Sequence, residues 1–183
     1  MRVESLAIAD VKLLVPKVFR DDRGHFVETW SERDFAAHGI AGPFVQDNAA
    51  LSKAKGTVRG LHFQAPPAAQ DKLVRVTRGS ILDVAVDLRR RSPTYGRHVT
   101  AVLSAENGAQ LWVPKGFAHG YCTLEDATEV AYKVTDYYSP AHDRGLLWND
   151  PALGIAWPVA AEAAHLSDKD RRQPRLSELA AGG

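Results

Sequence analysis

Apolar and polar residues alternate over short stretches of this chain, and Gly, Pro and Asn recur between those stretches at the spacing of a β-sandwich or barrel. The pattern predicts a mainly β fold. Leu82, Val84, Val86 and Leu88 share one face of a strand within Ile81–Leu88, and Val74–Thr77 with the turn Arg78-Gly79-Ser80 completes a predicted hairpin with it. Val99–Ser104, the turn signal Glu106-Asn107-Gly108 and Gln110–Val113 predict a second hairpin. Between Glu129 and Tyr138 the alternation puts Tyr132, Asp136 and Tyr138 on one face. Only two stretches read as helical. Ser31 can cap a short helix that has Asp34 in its first turn and stops at Gly39, and Val159–His165 is rich in alanine. The tail from Arg171, with Pro174 and Gly182-Gly183, is predicted to be loosely ordered.

Composition narrows the class. The 183 residues, 45% of them apolar, suffice for one core, and no repeat or linker divides them, so a single domain over 1–183 is expected. The 23 basic and 22 acidic residues create no overall field that would draw nucleic acid or a membrane surface. Cys122 is the only cysteine, which excludes an internal disulfide and a cysteine-built zinc site and fits a reducing, cytoplasmic compartment. Met1–Asp10 lacks the basic and apolar segments of a secretion signal, and no run of apolar residues is long enough to span a bilayer.

The chemical signal lies in two spaced sets of residues. Gly56, His62, Gln64, Lys72 and Gly79 form the first; Gly108, Pro114, Gly116 and His119 form the second, as Gly, five residues, Pro-x-Gly, two residues, His. This spacing resembles the paired motifs of the cupin superfamily, which implies a cupin-type jelly-roll barrel with an internal pocket and a few short helices. In metal-binding cupins two histidines and a glutamate of the first motif join the histidine of the second around a divalent ion. Here Gln64 and Lys72 stand at two of those places. An amide is a poor ligand for a transition metal and an ammonium repels one, so no metal and no other cofactor is expected. A neutral histidine beside a fixed cation suits proton abstraction next to a carbonyl, where an enolate develops. A phenol at Tyr132 can return a proton from the opposite face.

Six further runs sharpen the resemblance. Phe19–Glu28 (FRDDRGHFVE), Val45–Asn48 (VQDN), Val58–Gln64 (VRGLHFQ), Asp71–Val76 (DKLVRV), Trp112–Tyr121 (WVPKGFAHGY) and Gly145–Pro151 (GLLWNDP) are similar, in order, to the dTDP-4-dehydrorhamnose 3,5-epimerase family. The resemblance implies that His62 removes the C3 and C5 protons of a 4-keto-6-deoxyhexose carried on dTDP, that Asp170 fixes the tautomer of His62, that Tyr132 is the proton donor and that Lys72 steadies the C4 enolate. It implies nucleotide contacts from Arg23, Glu28, Gln46, Asn48, Arg59 and His119, with Lys169 near the pocket mouth and Tyr138 as a stacking or gating ring. Asp143 stands where the family usually has glutamate, so a ligand contact there must reach one methylene further. The family is homodimeric, its N-terminal strand crossing to the partner. Arg59 and His62 differ in parity on one strand, which requires either a bulge or a role for Arg59 in the neighbouring subunit. An epimerase of C3 alone or C5 alone shares these residues. A metal-dependent cupin oxygenase and a non-catalytic sugar-nucleotide binding module are the rivals from other classes.

Overall fold

The computed structural model of the chain describes residues 1–181, so Gly182-Gly183 lie outside the described residues. Strands β1 (Arg2–Ser5) and β2 (Lys12–Val15) are followed by a separate hairpin of β3 (Val18–Asp21) and β4 (Gly24–Val27) and by helix α1 (Glu32–Ala36). The barrel strands then run β5 (Gln46–Ser52), β6 (Val58–Gln64), β7 (Lys72–Arg78), β8 (Ser80–Asp87), β9 (His98–Ser104), β10 (Gln110–Val113), β11 (Phe117–Thr123), β12 (Thr128–Val134) and β13 (Asp143–Gly145). Short helices α2 (Asp168–Arg171) and α3 (Leu176–Ala181) close the described chain. A six-stranded sheet ordered β1-β2-β10-β7-β12-β5 lies against a five-stranded sheet ordered β13-β6-β11-β8-β9. From β5 onward every connection except β8 to β9 passes from one sheet to the other, which is the weave of a jelly roll.

Both predicted hairpins are therefore corners. β7 pairs with β10 and β12, β8 pairs with β9 and β11, and β10 pairs with β2 and β7. Gly79 makes the first corner with φ +75°, and a Cβ there would stand 2.4 Å from the Thr128 hydroxyl. Turn residues signal a reversal of the chain; they do not say which sheet receives the next strand. The helix capped by Ser31 forms as predicted, with the Asp34 N–H donating to Ser31 Oγ at 3.4 Å and Gly39 at φ +74° after its end. It buries Phe35 against Trp30 and Ile40.

The alternation on β8 holds, but the barrel interior takes the other face. Ile81, Ala85 and Val99 join Val74, Leu111 and Val130 between the sheets, while Val84 and Val86 face outward under Leu61, Ala118, Leu146 and Leu153. The segment beyond β13 supplies that cover, with Leu176 and Leu179 of α3 packed on it. Each aliphatic side chain fully buried here contributes about 1.5–3 kcal/mol. From Arg171 to Ala181 the tail is accordingly ordered, not loose: the Leu147 N–H donates to Pro174 O at 2.8 Å and the Leu176 N–H to Asp150 Oδ2 at 2.8 Å. Val159–His165 is not a helix. Only Ala164 of its four alanines is buried, so alanine propensity has no apolar face to dock, and His165 instead forms a parallel bridge with Thr57. Among the described residues no helix is long and apolar enough to cross a membrane.

Candidate active site

The pocket is shaped by a bulge. On β11, His119 stands opposite His62 and Tyr121 opposite Arg59, so three steps along β6 match two along β11. Gly60 absorbs the extra residue at φ +126°. A Cβ on Gly60 would meet Gly120 Cα at 2.6 Å, and one on Gly120 would meet Arg59 O at 2.7 Å. With glycine on both strands the backbones close up, Leu61 turns outward into the apolar layer, and Arg59 and His62 both face one cavity of about 530 Å³. The bulge is thus the resolution of their parity conflict.

His62 Nε2 and Asp170 Oδ1 are 2.5 Å apart. Asp170 sits on α2, where Ser167 Oγ accepts from its N–H at 3.1 Å, and its side chain is only 5% exposed. Burial pushes the Asp170 carboxyl up, but the hydrogen bonds of His62, Ser167 and the Gly60 N–H hold it below the ordinary value. An ionised carboxylate only accepts, so Nε2 of a neutral His62 carries the proton and Nδ1 keeps a lone pair. Lys72, 9% exposed, reaches the same cavity from β7 and donates to His62 O at 3.4 Å. Burial lowers its pKa to about 8, against the opposing charges of Asp83 and Asp143. It remains mostly a cation at neutral pH while being poorly solvated. Tyr132 enters from β12, its pKa raised by burial, which keeps its proton in place.

A second cavity of about 390 Å³ adjoins the first, sharing His62, Lys72, Tyr132 and Lys169 with it and adding Gln46, Asn48, Tyr138 and Asp143. Asp143 Oδ2 accepts from the Tyr138 hydroxyl at 3.0 Å and from the Lys169 ammonium, so the shorter side chain still bridges both. Tyr138 reaches this place from a loop, because β12 ends at Val134; the predicted shared face of Tyr132, Asp136 and Tyr138 does not exist. Asp136 turns back instead to accept from the Tyr137 N–H at 2.8 Å. The loop is held by the Tyr138 N–H to Gln46 Oε1 at 3.1 Å and by Gln64, which donates to Ala68 O at 2.6 Å and accepts from the Ser139 N–H at 2.7 Å. Gln64 therefore spends its amide on backbone. Among the described residues no three His, Cys, Asp or Glu side chains converge as a metal site.

Two of the expected nucleotide contacts lie elsewhere. Arg23 projects from the β3–β4 hairpin, paired with Asp21 at 2.5 Å, and Glu28 follows β4 in the open; neither lines the two cavities. His119 stands beside His62 on the adjoining strand, bonded through Nε2 to Asp83 Oδ1 at 2.7 Å, rather than with Gln46 and Asn48. Asp83 and the buried phenol of Tyr121 were not anticipated. Two aspartates four apart in an otherwise apolar strand, Asp83 and Asp87, are the signal that could have exposed the first, since buried carboxylates need partners.

Known proteins place this geometry in a lineage. The family model for dTDP-4-dehydrorhamnose 3,5-epimerase matches residues 5–178. A dTDP-4-dehydrorhamnose 3,5-epimerase of Sinorhizobium fredii is 57% identical over 179 residues, covering 98% of this chain and 91% of the relative. The Bacillus anthracis dTDP-4-dehydrorhamnose 3,5-epimerase, solved with TDP and PPi bound, superposes with a TM-score of 0.92 at 51% identity over 95% of this chain and 98% of that one. A Legionella pneumophila dTDP-6-deoxy-D-glucose-3,5-epimerase in complex with dTDP-4-keto-L-rhamnose also gives 0.92, at 42% identity over 96% of this chain and 93% of that one. With this fold, this cavity and relatives of this similarity along nearly its whole length, the chain belongs to the dTDP-4-dehydrorhamnose 3,5-epimerase family.

Proposed function

We propose that the protein inverts C3 and C5 of dTDP-4-dehydro-6-deoxy-D-glucose to give dTDP-4-dehydro-L-rhamnose, without a metal or other cofactor. The observation that carries this reading is the His62–Asp170 pair opening onto the cavity that also holds the buried ammonium of Lys72 and the phenol of Tyr132. The C4 carbonyl acidifies the hydrogens on both neighbouring carbons. His62 Nδ1 takes one of them, the electron pair moves onto the C4 oxygen, and Lys72 stabilises the resulting enolate. Tyr132 then delivers a proton to the opposite face of the same carbon, and solvent restores both groups. A donor aimed at developing charge in a water-poor site typically accounts for about a hundredfold or more in rate. Arg59 and Lys169, on the cavity rim, supply cationic partners for the diphosphate.

The β3–β4 hairpin supports a homodimer. It stands apart from both sheets, leaves Phe19 51% and Phe26 67% exposed, and carries Arg23 away from its own cavity. A second copy would cover the rings and receive Arg23 and Glu28 at its nucleotide site. A nucleotide-sugar substrate and a single buried cysteine support a cytoplasmic residence.

Proton NMR of the keto sugar nucleotide in D₂O, with the wild type and with His62→Ala, tests the function. Deuterium is expected at C3 and C5 with the wild type only. Exchange at one carbon would identify a single-centre epimerase, and no exchange would remove the reading.

A further inference from the structure

Three side-chain polar atoms of the described residues are buried without a hydrogen-bond partner: Asp83 Oδ2, Tyr121 Oη and Gln110 Oε1. Two of them belong to directly opposed residues, because Tyr121 on β11 is in register with Asp83 on β8. Tyr121 lines the cavity that holds His62 and Lys72, and only 4% of it is exposed. A buried hydroxyl left without a partner is destabilising, and a ligand in the cavity that the residue lines can supply that partner. Ser52 Oγ, close by, already accepts from Arg59 Nε at 3.1 Å.

The surroundings define that partner. Burial pushes the Tyr121 phenol up to about 12, opposed by Arg59 and the nearby Ser52 hydroxyl and helped by Tyr132 and Asp83, so it stays protonated and donates. The carboxylate across the ladder repels an anionic group, which excludes the diphosphate. Lys72 answers the carbonyl. A neutral hydroxyl of the hexose ring is left. On the other side of its strand Tyr121 is in register with Arg59, at the rim where the diphosphate is placed, so the hydroxyl is the one nearest the anomeric carbon. Chemistry selects the same group. During the double inversion C3 and C5 change configuration, C4 is the ketone and C6 a methyl, and only the 2-hydroxyl keeps its configuration throughout.

We infer that Tyr121 is a specificity-determining residue whose phenol donates a hydrogen bond to the substrate's 2-hydroxyl and anchors the ring while C3 and C5 are inverted. The inference rests on the epimerase reading. Its test compares kcat/KM of the wild type and Tyr121→Phe on the natural substrate and on the 2-deoxy analogue, with inhibition by dTDP as the control for the nucleotide end. Removing the 2-hydroxyl should cost the wild type about 10-fold to 100-fold. Tyr121→Phe should lose a similar factor on the natural substrate, should differ by less than about twofold from the wild type on the 2-deoxy analogue, and should keep the dTDP inhibition constant. Equal losses on both substrates, or no loss on either, would overturn the assignment. So would a wild type indifferent to the 2-hydroxyl, a measurement that needs no variant. Deuterium exchange at C3 and C5 by the wild type is scored separately, so failure of the epimerase reading is distinguishable from failure of this one. Tyr121→Phe removes only an oxygen that has no partner in the fold, and its melting temperature should match or exceed that of the wild type.

Discussion

Two aspartates four residues apart on β8 both point into the barrel and both are fully buried, yet they do opposite things. Asp87 is saturated: the Arg89 N–H and Nε donate to Oδ1 at 2.9 Å each, and Arg89 Nη2, Ser92 Oγ and Thr94 Oγ1 donate to Oδ2 at 2.8, 2.6 and 2.6 Å. Asp83 has one partner, His119, and its second oxygen has none. A carboxylate whose every lone pair is matched by its own chain holds a loop, here the connection between β8 and β9. One left half-matched beside a cavity gives up stability and keeps a polarised histidine and a fixed charge at a site of chemistry.

The first way to break this contrast is Asp87→Ala, which should cost about 3–5 kcal/mol in urea unfolding, because it orphans the hydroxyls and the guanidinium gathered around the carboxylate. Activity per folded molecule should be unchanged; a loss of activity without a loss of stability would reverse the two roles. Burial pushes the Asp87 carboxyl up, but Arg89, Ser92 and Thr94 override it and hold it well below the usual carboxylate range. Its folded pKa is below its unfolded one, so its contribution is complete above about pH 4 and is lost as pH falls towards the folded value. Asp87→Asn should accordingly flatten the acid side of the stability curve.

Next in size is Lys72→Met. It should lower kcat by about a hundredfold or more, read by coupled assay of the product. The same change should raise stability by up to about 3 kcal/mol, since folding lowers the Lys72 pKa from 10.5 to about 8 and so penalises the cation at every pH below 8. The penalty fades as pH rises from 8 towards 10.5, and the rate should fall over the alkaline range as the ammonium is lost. No gain in melting temperature for Lys72→Met would count against a poorly solvated cation at this place.

Asp83→Asn sharpens the comparison with the smallest effect. It should cost less than about 1 kcal/mol of stability, because a half-used carboxylate has little to lose, and about tenfold in rate. Asp83 is also one of the two charges that hold the Lys72 pKa up against burial, so the alkaline limb of the rate profile should move to lower pH in Asp83→Asn and stay in place in Asp87→Asn. Identical limbs in the two variants would show that β8 does not tune Lys72.

Neither aspartate of this pair is marked by the alternation of the chain. Alternation located the strands, since burial of one face leaves a period of two in the sequence, but β8 is covered on both faces and its Leu82–Leu88 stripe is the outer one. His62 and Lys72 were legible through motif spacing, Tyr132 through strand alternation and Asp170 through the family resemblance, and the fold gathers all four around one cavity. Arg59 needed a bulge that only the approach of Gly60 to Gly120 explains, a tertiary fact. Asp136 fell out because a strand ended earlier than its pattern, where Thr135 Oγ1 donates to Asp71 instead of the ladder continuing. Sheet membership, and with it both misread hairpins, depends on partners distant in sequence. Arg23 and Glu28 fall outside the cavity because a single chain carries them away from it.

The carboxylate that holds His62 does not belong to the barrel. Asp170 lies on α2, beyond the last barrel strand, in a segment tied to the edge of β6 through His165 and followed by Leu176 and Leu179, which dock on the outer face of the five-stranded sheet. In the order of synthesis the pocket can be assembled while its base still lacks an orienting partner, so the ability to move protons arrives after the vessel that contains them.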